Sequence, residues 1–309
     1  MTKIALTVEN LTKIYLNLKT KKQNKALSNL SFDVRQGEIF GLLGPNGAGK
    51  TTFLSILAGT VTKTSGLVNV WGFDLDKNPR QVRASVGIVP QEVNLDAFFS
   101  PKKLLELQAG LYGVTKKDRI TDLILKMVAL EDQANAYSRN LSGGMKRRLL
   151  IAKAMVHQPP VLILDEPTAG VDVELRKNLW ENVKKLNQEG VTIILTTHYL
   201  IEAQEMCDRI AIINKGDLVA LDTTEKLLER IKTKKINLKI TDINLDRKLS
   251  FKDVDFKINS NKSVTITYEK NLIDFAEIAH YLSKNDIKIE DISTDDGDLE
   301  DVFVQLTKH

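Results

Sequence analysis

The sequence predicts an α/β fold built on a mostly parallel sheet, with a small α+β appendage at its C-terminal end. Three observations carry that expectation. Short β-rich runs alternate with helical patterns through the first three-quarters of the chain, two of those runs are apolar without interruption, and a different order of strands and helices follows Lys235.

The β-rich runs are Glu38 to Leu43, Leu67 to Val70, Val86 to Val89, Val161 to Leu164 and Thr192 to Thr196. Val161-Leu162-Ile163-Leu164 and Thr192-Ile193-Ile194-Leu195 lack the polar alternation of a half-exposed strand, so helices should cover both of their faces. Between Ser100 and His157 no comparable run occurs. There Leu104, Leu105, Leu107 and Leu111, then Ile120, Leu123, Ile124 and Met127, recur at helical spacing and predict a helical subdomain over about residues 97–157. A lysine-rich linker, Ile231 to Lys235, separates a domain over 1–232 from one over 236–309. The second should contain strands Ile236 to Ile240, Val254 to Ile258 and Val264 to Tyr268, a helix Leu272 to Leu282, a strand Ile287 to Ile292 and a helix Leu299 to Leu306.

With 309 residues, 42% of them hydrophobic, the chain can build two unequal cores without disulfides. Its one cysteine, Cys207, cannot form an intrachain bridge, and we expect a small buried hydrophobe there. No stretch approaches the roughly 20 apolar residues of a membrane span, and Met1 to Leu6 lack a signal-peptide core. A cytosolic chain is expected, with any membrane role exercised through a partner. The net charge of +4 is uneven: residues 236–309 carry 10 Lys and Arg against 15 Asp and Glu, which leaves +9 for the rest. A basic first domain suits a polyanionic ligand or an anionic membrane surface, and is equally an ordinary device for solubility.

Chemistry first becomes legible in Gly44-Pro45-Asn46-Gly47-Ala48-Gly49-Lys50-Thr51, with Thr52 following. This is the phosphate-loop pattern, lying between an apolar strand and the amphipathic run Thr51 to Ala58 as its mechanism requires. Glycines let backbone N–H groups approach phosphates, and the helix N-terminus adds partial positive charge. Lys50 should reach the β- and γ-phosphates of a nucleotide, and the Thr51 hydroxyl should ligate Mg²⁺. Downstream, the strand Val161 to Leu164 delivers Asp165 and Glu166 to its C-terminal edge, where open α/β sheets bind ligands. Asp165 is placed to hold the Mg²⁺ shell, and Glu166 to polarise an attacking water.

Leu141-Ser142-Gly143-Gly144-Met145 resembles the signature sequence of ABC ATPases, and from Thr2 to about Leu228 the order of motifs follows that family. The order runs Tyr15, the phosphate loop, Gln91 after a strand, the signature, the acidic strand, the loop Ala169-Gly170-Val171-Asp172, and His198. The resemblance implies a P-loop ABC ATPase fold, with an antiparallel β subdomain and a helical signature subdomain added to the core sheet. It also implies ATP and Mg²⁺ as cofactors and a head-to-tail dimer. Ser142 is a good N-cap, and Gly143-Gly144 expose amides at the start of a helix, a second anion site that the family closes over its partner's γ-phosphate. By the same resemblance Gln91 touches Mg²⁺ or water and senses a membrane partner, His198 contacts the γ-phosphate, Asp172 sits at the dimer seam, and Tyr15 stacks on adenine. A core role for Tyr15 is the alternative, since the segment Lys19 to Lys25 is long for a hairpin.

Met145 stands where many members carry glutamine. With Lys146-Arg147-Arg148 and Pro167 to Asp172 it is similar to bacterial type-2 exporters, which implies an export ATPase on the cytoplasmic face of the membrane beneath a separate permease. An importer subunit, or a non-transport relative acting on ribosomes or DNA, is the alternative. A single cassette without a coiled-coil insertion argues against the latter, so no nucleic-acid partner is expected. Phe98-Phe99 could dock the membrane subunit or enter the core, and Lys146-Arg147-Arg148 should form a solvated helix face. The tail bears no chemical motif and by resemblance would aid dimerisation or regulate the partner.

Overall fold

The computed structural model describes residues 3–16, 21–169, 171, 173–240, 249–259, 263–285, 287–295 and 297–307. Among them, strands β1 (Ile4–Leu16) and β2 (Gln23–Arg35) form a long antiparallel pair. β3 (Ile39–Leu43) runs into helix α1 (Lys50–Leu57), and β4 (Ser65–Val70) with β5 (Phe73–Asp74) completes a first sheet of order β2-β1-β4-β5. Leu67 to Val70 therefore belongs to an antiparallel sheet and not to the parallel one. The pairing in β1 shifts register between Val8 and Leu11, around Asn10 at φ +50°, and such a bulge breaks the period-2 alternation that would have announced the strand.

α2 (Pro79–Ala84) leads to β6 (Val86–Val89), and a helical region follows with α3 (Pro101–Leu111), α4 (Thr121–Met127) and α5 (Gly143–Met155). It closes around Leu105, Leu125, Leu130, Leu149 and Ala152, whereas Leu107, Leu111 and Leu123 face outward. β7 (Val161–Asp165), α6 (Val173–Gln188), β8 (Thr192–Thr196), α7 (Leu200–Met206), β9 (Arg209–Asn214) and β10 (Asp217–Thr223) complete the first unit. Its six-stranded sheet has the order β10-β9-β3-β8-β7-β6 and is parallel except for β10. All five residues of β3 are buried at its middle. α1 buries Phe53, Leu54, Ile56 and Leu57, each stabilising the fold by about 1.5–3 kcal/mol. That anchorage fixes the strand-to-helix turn at the sheet's carboxyl edge.

The chain divides into compact units at Thr223/Thr224, and the expected linker Ile231 to Lys235 is corrected: it lies inside the second unit, with Thr233 to Lys235 already in a strand. α8 (Thr224–Leu228) thus falls with the second unit, where it packs against α10. That unit comprises β11 (Thr233–Ile240), β12 (Asp255–Asn259), β13 (Ser263–Glu269), α9 (Phe275–Lys284), β14 (Ile289–Asp295) and α10 (Leu299–Thr307), in an antiparallel sheet of order β12-β13-β11-β14. Its core joins Leu238, Val264 and Ile266 to Ile278 and Leu282 of α9. The Asp274 carboxylate accepts from the Ala276 N–H and starts α9 later than the apolar pattern implies.

Candidate functional site

The loop Gly44 to Gly49 wraps the carboxyl end of β3 and the start of α1. Gly49 caps the helix at φ +109°, and Gly47 sits at φ +82°, conformations that L side chains rarely adopt. A cleft of ≈ 890 Å³ opens beside the loop, lined by Asn46, Gly47, Ala48, Gly49, Lys50, Thr51 and Thr52 together with Tyr15, Gln91, Asp165, Glu166 and His198. Gly44 and Pro45 lie behind it. Their carbonyls accept from Lys50 Nζ at 2.5 and 3.2 Å, so the ammonium is held back against its own loop. Burial pulls its pKa below the ordinary lysine value, opposed by the Glu166 and Asp165 carboxylates.

β7 carries the acidic pair to the cleft. Thr196 at the end of β8 donates from its hydroxyl to Asp165 Oδ1 at 2.6 Å and accepts from the Glu166 N–H at 3.2 Å. Glu166 itself has φ +45°, an uncommon conformation for a residue with a side chain, and costs of order 1–3 kcal/mol accompany such strain. Its Oε2 accepts from Gln91 Nε2 at 2.8 Å and faces His198 Nδ1 at 3.1 Å. Three residues that lie far apart in sequence thus meet on one oxygen. The contact with a carboxylate requires the proton of His198 on Nδ1, so Nε2 could donate to a ligand only in the imidazolium form.

His198 is flanked by a buried network that the sequence did not announce. Glu202 Oε2 accepts from the Thr168 hydroxyl at 2.7 Å and the Thr197 hydroxyl at 3.4 Å, and its Oε1 lies 3.2 Å from Arg176 Nε. The Arg176 guanidinium in turn lies over the Tyr199 ring at 4.6 Å.

The expectation of a solvated face for Lys146-Arg147-Arg148 is corrected at two of the three positions. Arg147 is 2% exposed, and its guanidinium donates to the carbonyls of Pro90, Gln91, Glu166 and Pro167 at 2.7–2.9 Å. Arg148, half-buried, donates to the carbonyls of Val128 and Ala129. A helix periodicity that runs through apolar residues gives no sign of arginines satisfied by backbone oxygens.

Ser142, Gly143 and Gly144 form the start of α5, where the Ser142 hydroxyl accepts from the Met145 N–H at 3.3 Å. Ser142 and Gly143 are exposed, and a Cβ at Gly143 would meet nothing within 4 Å. None of the three lines the cleft that holds the phosphate loop. Tyr15 does line it; 38% exposed, with the Lys13 ammonium 4.7 Å from its ring centre, it is no core residue. β1 and β2 pair as far as Leu16 and Gln23, although residues 17–20 of the doubtful hairpin lie outside the described residues. Asn24, Lys25 and Lys215 also border the cleft without any motif to mark them, Lys215 from the tight turn between β9 and β10. Phe98 and Phe99 are exposed and Cys207 is buried, while Gly170 and Asp172 lie outside the described residues.

Three oxygen-bearing side chains, Thr51, Gln91 and Asp165, share the cleft, a hard donor set of the kind Mg²⁺ takes when phosphates and water complete its shell. No group of three His, Cys, Asp or Glu that could hold a metal by itself occurs among the described residues, so phosphate oxygens would have to contribute.

Residues 27–169 match the family model described as ABC transporter. The linearmycin resistance ATP-binding protein LnrL of Bacillus subtilis is 39% identical over 229 residues, covering 73% of this chain and 71% of that protein. A Nod factor export ATP-binding protein I, from Cupriavidus pinatubonensis, is also 39% identical, over 72% of this chain and 70% of its own length. Among solved structures, the ATP-binding cassette MJ0796, as a dimer in a post-hydrolysis state bound to ADP and Pi, aligns with a TM-score of 0.62 at 26% identity. The alignment covers 71% of this chain and 98% of that one. An ATP-binding subunit of an ABC transporter aligns with a TM-score of 0.64 at 28% identity, covering 73% and 92%.

Proposed function

The chain belongs to the ABC transporter ATP-binding family, and we propose that it is the ATPase of an exporter, working as a head-to-tail pair beneath a separate membrane permease. One observation carries the paired arrangement. The phosphate loop, Gln91, Asp165, Glu166 and His198 share a cleft, while the exposed amides at the start of α5 lie outside it, so one chain holds half of two sites. A second copy turned head to tail would bring its Ser142, Gly143 and Gly144 over the first copy's γ-phosphate.

In the proposed site Tyr15 stacks on the adenine, and Asn46 to Thr52 cradle the phosphates with their N–H groups. Lys50 exchanges the carbonyls of Gly44 and Pro45 for β- and γ-phosphate oxygens. Thr51, Gln91 and Asp165 would hold Mg²⁺, which when bound neutralises charge on the phosphates. Glu166 takes the proton of the attacking water, from a position already fixed by Gln91 and His198 at its Oε2. His198 contacts the γ-phosphate through its ring N–H.

The export reading rests on what the relatives are named for, linearmycin resistance and Nod factor export. No helix among the described residues is long and apolar enough to cross a membrane; the proposed route for a substrate is the separate permease. The cytoplasmic face of the membrane is the proposed location, because ATP is there. The domain over 1–232 supplies the motor, and the one over 236–309 is proposed to aid pairing or regulate the permease. The test is ATP hydrolysis by the purified chain with Mg²⁺, alone and after co-purification with the permease it retains. Turnover that Lys50→Ala abolishes supports the reading; turnover that survives Lys50→Ala contradicts it.

A further inference from the structure

We infer that Arg147 is a positioning residue that ties the signature helix to both strand-exit loops of the catalytic cleft, so that Gln91 and Glu166 are held in register by one buried guanidinium. The inference rests on the ATPase reading above.

Arg147 lies in the first turns of α5, four residues before Ile151 and five after Ser142. Its Nη1 donates to the carbonyls of Pro90 and Gln91 at 2.9 and 2.7 Å, its Nη2 to that of Glu166 at 2.8 Å, and its Nε to that of Pro167 at 2.7 Å. These four oxygens belong to two loops, one leaving β6 and one leaving β7. The two residues whose side chains meet, Gln91 and Glu166, are therefore also joined through their backbone oxygens, some 75 positions apart in the chain. A guanidinium carries five N–H donors in one rigid plane and here meets all four oxygens, whereas a lysine ammonium has three donors on a flexible stem and would leave at least one of them unpaired.

The arrangement also explains how Glu166 keeps its φ of +45°. A strained conformation persists where its surroundings over-determine it, and here the Glu166 N–H is bonded to the Thr196 carbonyl and hydroxyl while its C=O is held by Arg147. Because Ser142 caps the start of α5, a movement of this helix as it meets another chain's nucleotide would be transmitted to the catalytic carboxylate of its own chain. Arg148 offers an internal control. It is the next residue of the same helix and also bonds two carbonyls, but those of Val128 and Ala129, within the helical region and remote from the cleft.

The experiment measures kcat, KM for ATP and thermal melting of the full-length protein as wild type, Arg147→Lys, Arg147→Gln and Arg148→Gln. Expected is a fall in kcat of at least about tenfold for both Arg147 variants, with KM changed by less than about threefold, because the phosphate loop is untouched. Arg148→Gln should melt earlier than wild type and keep kcat within about twofold. Retention of wild-type kcat by Arg147→Gln overturns the inference, as does an equal loss of kcat in Arg148→Gln. Failure of both Arg147 variants to fold, beside a folded Arg148→Gln, would assign Arg147 to stability alone and overturn it too. A wild type without ATPase activity would instead contradict the proposed function, which separates the two failures.

Discussion

Two glycines of the phosphate loop share a left-handed backbone and face different surroundings, which separates folding from ligand approach. At Gly49, φ is +109° and an added Cβ would stand 2.5 Å from the Ala26 carbonyl oxygen and 2.7 Å from Leu27 Cδ2. Gly49→Ala should therefore combine backbone strain of about 1–3 kcal/mol with overpacking of about 1–3 kcal/mol. At roughly 2–4 °C per kcal/mol for a domain of this size, a loss near 4 kcal/mol lowers the melting temperature by roughly 8–16 °C. At Gly47, φ is +82° and the added Cβ meets nothing within 4 Å, so Gly47→Ala costs only the left-handed penalty of about 1–2 kcal/mol, or roughly 2–8 °C. The empty space beside Gly47 is cleft space, where phosphate must approach. ATP affinity should thus fall at least tenfold in Gly47→Ala, about 1.4 kcal/mol. Thermal melting with and without ATP reads both quantities, since bound ligand raises the melting point by mass action. A larger melting loss for Gly47→Ala than for Gly49→Ala, or an undiminished ATP shift in Gly47→Ala, refutes the reasoning.

Glu166→Gln should lower ATP turnover by about 10²–10⁴, the usual worth of a general base, with ATP affinity nearly unchanged; rapid turnover in steady-state assays contradicts the assigned base. Lys50→Ala should remove tight ATP binding measured by calorimetry, and unchanged affinity contradicts the cradle. His157 stacks on Tyr112 at 3.7 Å, contacts the Val86 carbonyl through Nε2, and is held below the ordinary histidine pKa by burial. A depressed pKa means that the unfolded chain takes the proton first, so this contribution is present above about pH 6.5 and is lost as pH falls below it. The melting temperature of wild type should therefore drop more between pH 7 and 5.5 than that of His157→Gln, and parallel curves would sink the idea.

The phosphate loop, the acidic pair and the β-rich runs are legible because each rests on local pattern: a glycine spacing, two carboxylates closing an apolar run, or a short run of β-branched and apolar residues. Leu67 to Val70 reads as a strand, but four residues do not disclose that the partner is β1 in the antiparallel sheet. β1 is hidden by its bulge. Arg147 departs from the expected solvated face for a different reason. Its partners are carbonyl oxygens, which every residue carries, so no residue type in the sequence marks the site. Glu202 and Arg176 likewise carry no sequence signal, because an ion pair between α7 and α6 exists only once β8 has brought the helices together.

The most direct measurement is the solution mass of the Glu166→Gln protein with and without ATP and Mg²⁺. The protein should be a monomer without nucleotide and a dimer with it, since the amides at the start of α5 and the phosphate loop can share a γ-phosphate only across two chains. A monomer that binds ATP at saturating concentration, with or without the permease, would contradict the shared site.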